Sequence, residues 1–99
     1  MVGLDGHAPH QSPTADCHII GTVATPGNVS AERGHVVCRF TLSVGSLSFT
    51  VFAHDELAAT AADARSGSLV EVHGLMRPYP WQVEAQKVSI LCQPRHLKI

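Results

Sequence analysis

Between Val36 and Val44 the side chains sort with a period of two. Val36, Cys38, Phe40, Leu42 and Val44 fall on one face, and Val37, Arg39, Thr41 and Ser43 on the other. That pattern predicts a half-buried β-strand. Gly45-Ser46 predicts a tight turn into a second strand, with Leu47, Phe49, Val51 and Ala53 on its apolar face. Opposite them lie Ser48, Thr50, Phe52 and His54, so Phe52 is an aromatic on an otherwise polar face. That makes it the first candidate contact residue.

The same reading extends in both directions. His18 to Val23 predicts a first strand, ended by the turn signals Pro26-Gly27-Asn28. Asp55 predicts the cap of a short helix with body Glu56 to Arg65, stopped by Ser66-Gly67. Leu69 to Arg77 predicts a fourth strand, with a bulge or bend at Gly74. Pro78-Tyr79-Pro80-Trp81 is no ordinary central strand, because its two prolines remove ladder donors. A fifth strand is expected from Gln82 to Cys92, interrupted near Gln86-Lys87. Residues 1–16 carry glycines, prolines and little apolar periodicity and predict a flexible arm, leaving one domain over 17–99.

Three strands, a helix and two more strands predict an all-β fold, a five-stranded OB-fold Greek-key barrel with one short α-helix between strands 3 and 4. Short strands alone also permit an SH3-like barrel; the helix position favours OB. A chain of 99 residues has room for one core, and self-association is a natural source of extra stability at this size. No apolar run approaches the roughly 18 residues of a membrane span, and residues 1–16 lack a signal-peptide pattern. Cys17, Cys38 and Cys92 are odd in number and without close pairing, as expected of reduced thiols in a cytoplasmic protein.

Charge changes the picture little. The net charge is −1, yet from residue 17 onward seven basic residues face six acidic ones, three of them (Asp55, Glu56, Asp63) in the helical segment. Nucleic-acid binding is permitted by this balance and not demanded by it.

Several segments resemble the bacterial single-stranded DNA-binding protein family in a common order. They are Ile20-Gly21-Thr22-Val23, then Cys38-Arg39-Phe40-Thr41-Leu42, then Val51-Phe52-Ala53 followed by Leu57-Ala58, and finally Gly67 to Arg77. The resemblance runs from about residue 18 to 91 and implies that Trp81 stands where the family stacks an aromatic on a base. The family's long loop between strands 2 and 3 is cut to Val44-Gly45-Ser46, and the loop after Trp81 is nearly absent. Two tryptophans around the first loop and the acidic, Pro-Phe-ending recruiting tail have no counterpart. Primosomal replication protein N, a dimeric relative without that tail, is the alternative within the fold.

The resemblance implies sequence-tolerant single-stranded DNA binding, without catalysis, in replication, recombination or primosome assembly. The expected assembly is a homodimer or homotetramer, with replication or recombination proteins as further partners. Such binding needs π-faces for bases and cations for phosphates. Trp81, Phe52 and Tyr79 are the candidate platform, with Arg77, Arg39, Lys87 and Arg33 the candidate phosphate contacts. The alternative is an OB adaptor whose aromatic face binds protein. His7, His10, Cys17 and His18 match no standard zinc spacing, so no metal and no cofactor are expected. No phosphate loop, nucleophile elbow or metal-ligand helix argues for an enzyme. Cys38, on the inward face, reads as a small hydrophobe.

Overall fold

Strand alternation turns into a barrel because each predicted apolar face finds the same interior. The computed structural model describes residues 15–78 and 80–94. Its elements are β1 (Ala15–Glu32), β2 (His35–Val44), β3 (Leu47–His54), α1 (Glu56–Ala62), β4 (Leu69–Arg77) and β5 (Gln82–Cys92). They close in the spatial order β1-β2-β3-β5-β4, with β3 and β5 parallel and every other pair antiparallel. This is the five-stranded OB barrel, with its helix between β3 and β4. Among the described residues no helix is long and apolar enough to cross a membrane.

The core is the set that period two selected. Cys38, Phe40 and Leu42 from β2 meet Phe49, Val51 and Ala53 from β3, with Val23, Val70, Val72 and Val83 closing the ring. Each large apolar side chain so buried contributes about 1.5–3 kcal/mol. Val36 and Leu47, at the strand ends, are instead exposed. The helix offers Ala58 and Ala61, and Ala64 follows, so it can lie close over one end of the barrel.

Both boundaries expected of the first strand are corrected. The first strand does not end at Pro26-Gly27-Asn28. Its pairing with β2 slips between Val23 and Thr25 and again between Thr25 and Asn28, and β1 runs on to Glu32. Bulges let a strand bend and keep its ladder, which is how one long strand serves both β4 and β2. The turn falls at Arg33-Gly34, where φ is +50° and +81°. Positive φ at both central residues is the requirement of a type I′ hairpin turn. β1 also starts at Ala15, so the last two residues of the expected arm are already strand; residues 1–14 lie outside the described residues.

The helix is shorter than Glu56 to Arg65, ending at Ala62, and Asp55 makes no side-chain cap bond. The Asp55 carboxylate instead accepts from the Val36 backbone N–H at 3.3 Å and lies 3.5 Å from His35 Nδ1. It fastens the turn end of the β1–β2 hairpin to the end of β3. Past the helix, Gln93 Oε1 accepts from Ser68 Oγ at 2.9 Å and from Arg65, while its Nε2 donates to the Asp63 carbonyl at 3.1 Å. The buried Ser68 hydroxyl is thereby satisfied.

The irregularity expected near Gly74 and Gln86-Lys87 is present: Lys87 faces His73 and Ala85 faces Gly74, leaving Gln86 as the extra residue. Gly74 is required there by close approach, since a Cβ would strike the Glu84 carbonyl and the Ala85 Cα.

Candidate functional site

Period two puts Arg39 and Phe52 on the outside of β2 and β3, and antiparallel register makes them direct partners. On the other side of Arg39 stands Asn28 of β1, and on the other side of Phe52 stands Glu84 of β5. Phe52 therefore sits mid-surface on the outer barrel wall, half-buried among polar neighbours. Three adjoining grooves share its ring.

The three differ in charge. The groove of about 320 Å³ between β1, β2 and β3 is lined by Thr25, Asn28, Arg39, Thr41, Thr50 and Gln82 around Phe52, with no carboxylate. A smaller groove of about 140 Å³ runs from Arg39 past Ser30 to Glu32. The third, of about 220 Å³, carries Arg77 but also Glu32 and Glu84. There His54 Nε2 lies 3.2 Å from Glu84 Oε2, which partly answers one of the two acids. Coulomb attraction to a phosphate is thus strongest along the first groove. Its hydroxyls and amides can also donate and accept along a base edge or sugar.

The fold gathers some of the predicted residues and separates others. Phe52, Arg39 and Arg77 share one surface, and Arg33 stands at the exposed tip of the β1–β2 hairpin. Lys87 is the register partner of His73, three positions along β5 from Glu84, or roughly 10 Å. Trp81 lies against Phe49, with ring centroids 5.9 Å apart and planes tilted by 50°. Phe49 is on the core side of β3, so Trp81 packs on a core residue while 38% of its surface stays exposed. Its carbonyl accepts from the Thr50 backbone N–H at 3.1 Å, which sets Gln82 level with Thr50 at the end of the first groove. Tyr79 lies outside the described residues.

Asn28, Thr41, Thr50 and Gln82 were not singled out from sequence. Thr41 and Thr50 were legible, being polar-face members of the alternation that marked Phe52. Asn28 was hidden because its segment read as a turn. As for the thiols, Cys38 is buried and Cys17 half-buried, and desolvation raises both above the ordinary thiol value. A raised pKa disfavours the reactive thiolate.

No protein-family model matches the chain, and no curated protein does. Solved structures do share its fold. The single-stranded DNA-binding protein of Thermus aquaticus superposes with a TM-score of 0.70 at 23% identity, over 84% of this chain and 43% of that one. The second single-stranded DNA-binding protein of Mycobacterium smegmatis gives 0.70 at 21% identity, over 84% and 97%. The mitochondrial single-stranded DNA-binding protein Rim1 of S. cerevisiae gives 0.69 at 10% identity, over 83% and 99%. The chain spans less than half the length of the Thermus protein. The barrel is the OB fold of single-stranded DNA-binding proteins.

Proposed function

We propose that this barrel binds single-stranded DNA along the β2–β3 face, with one base stacked on Phe52 and phosphates neutralised by Arg39 and Arg77. OB barrels bind oligonucleotides on the face of strands 2 and 3 and through the loops joining strands 1–2 and 4–5. In this chain those loops hold Arg33 and the Pro78–Trp81 segment. The observation that carries the reading is the carboxylate-free groove that joins Phe52, Arg39 and Gln82. A strand leaving that groove past Gln82 meets Trp81 next. The similarity to single-stranded DNA-binding proteins from two bacteria and a mitochondrion supports the same reading.

Few cations face this surface, so the affinity carries a weak salt dependence, with about two to three phosphates neutralised. The proposal extends to a role in replication, recombination or primosome assembly, the processes that expose such a strand. Self-association as a dimer or tetramer is supported by Ile20, Leu69 and Leu91, which are 47%, 38% and 48% exposed on β1, β4 and β5. The test is fluorescence anisotropy of a labelled oligo-dT at low salt. Saturable, salt-sensitive binding supports the proposal. Absence of binding, with a protein partner occupying the Phe52 face, establishes the adaptor role, which Glu32 and Glu84 beside Arg77 favour.

A further inference from the structure

On the wall formed by β1 and β4, outside the grooves that Phe52 lines, two histidines and a carboxylate converge. Glu71 and His73 are two residues apart on β4 and so project from the same face. His18 on β1 is the direct register partner of His73. Antiparallel partners hold their Cβ atoms about 4.5–5.5 Å apart, near enough for two imidazoles to share one ligand. The rings stack with centroids 4.1 Å apart and planes 15° from parallel. Both Nε2 atoms address the same oxygen of Glu71: His18 hydrogen-bonds to Oε2, and His73 lies 3.5 Å from it. All three ligating atoms lie within 4.8 Å of one another.

We infer that His18, Glu71 and His73 form a binding site for a zinc-class divalent transition-metal ion, with water completing the shell. Donors 2.0–2.2 Å from a tetrahedral ion stand roughly 3.3 Å from each other. The present separations bracket that value, and tilting the two rings toward the carboxylate brings their lone pairs together. His18 and His73 are 51% and 43% exposed, so such rotations meet little packing. Two imidazoles and one carboxylate suit zinc, nickel, cobalt or copper, whereas magnesium and calcium prefer an all-oxygen shell. The neighbouring charges are Asp16, two residues before His18 on the same face, and Lys87, the β5 partner of His73. The acid favours a cation and the ammonium opposes it. Ligation needs the neutral imidazole, so protons and the metal ion compete for the same ring nitrogens. The ion would tie β1 to β4 across 53 residues of sequence, which is why no local spacing announces it.

The test is calorimetric titration of the full chain with Zn²⁺, alongside ¹⁵N–¹H correlation spectra of the imidazoles. The expected result is one ion per chain at micromolar affinity, with the His18 and His73 ring signals moving first. His18→Gln and His73→Gln each weaken binding at least roughly tenfold, and Zn²⁺ raises the melting temperature of the parent chain but not of the double variant. Unchanged affinity in the double variant, or ring shifts confined to other histidines, overturns the assignment. Absence of micromolar binding overturns it as well. Oligo-dT binding by both variants remains at the parental level, so this result and that for the Phe52 face stand apart.

Discussion

Arg39 on β2 and Phe52 on β3 are direct antiparallel partners on the outer wall of the barrel. A cation and a π-face held side by side by backbone hydrogen bonds need little reorganisation to receive a phosphate and its base. The preorganisation comes from core packing, since Cys38, Phe40, Val51 and Ala53, the flanking residues on the inner face, are at most 1% exposed.

Removing the Phe52 ring is expected to cost the stacking of one base, about 1–3 kcal/mol, or roughly five- to 150-fold in Kd. Phe52→Ala does this, while Phe52→Tyr keeps most of the affinity because the π-face survives. Anisotropy titrations with oligo-dT read both. Equal affinities for parent and Phe52→Ala remove Phe52 from the site.

The basic residues separate by their salt dependence. Arg39→Ala and Arg77→Ala each lower the slope of log K against log salt by about one unit. Lys87→Ala, beside His73, leaves it unchanged. Titrations at several salt concentrations measure the three slopes, and a change confined to Lys87→Ala places the DNA on a different wall.

The Arg33-Gly34 turn carries a positive φ on a residue with a Cβ. Asn tolerates that conformation better than Arg. Arg33→Asn is expected to stabilise the fold by a few tenths to about 1 kcal/mol, read from the urea midpoint. Destabilisation by the substitution contradicts the turn geometry.

Gly74 faces the opposite hazard. A Cβ there meets the backbone of Glu84 and Ala85 at the β5 irregularity. Gly74→Ala is expected to lower stability by about 1–3 kcal/mol and to shift the amide resonances of Glu84 to Lys87. A neutral substitution shows that the strands stand further apart.

Glu71 gives a pH dependence. Its hydrogen bond from His18, with His73 adding to it, holds the carboxyl below its ordinary value of 4.5. A carboxyl with a lowered folded-state pKa adds stability that is present above the ordinary value and is lost as pH falls through the lowered one. Urea midpoints across the acid range should therefore decline less steeply for Glu71→Gln than for the parent. Parallel profiles contradict the contact.

Much of this barrel was legible because period two is a direct readout of a wall with one wet face. Phe52 stood out for that reason, and so did the β2–β3 hairpin at Gly45-Ser46. The β1–β2 hairpin did not, because Arg-Gly is a poor type I′ signature and Pro26-Gly27-Asn28 a good turn signature. Bulges absorbed the latter, and Asn28 entered the site unseen. Trp81 was expected on the binding face through resemblance alone; its packing on Phe49 depends on a β3–β5 pairing that local sequence does not encode. The convergence of His18 with Glu71 and His73 depends in the same way on the β1–β4 register.

Nucleic acid is proposed to lie along the carboxylate-free groove at Phe52. Chemical-shift mapping of ¹⁵N-labelled protein with an oligo-dT tests it most directly. The largest shifts are expected at Asn28, Arg39, Thr41, Thr50, Phe52 and Gln82, with smaller ones at Arg77 and Trp81. Shifts centred instead on α1, or on Ile20, Leu69 and Leu91, would contradict it.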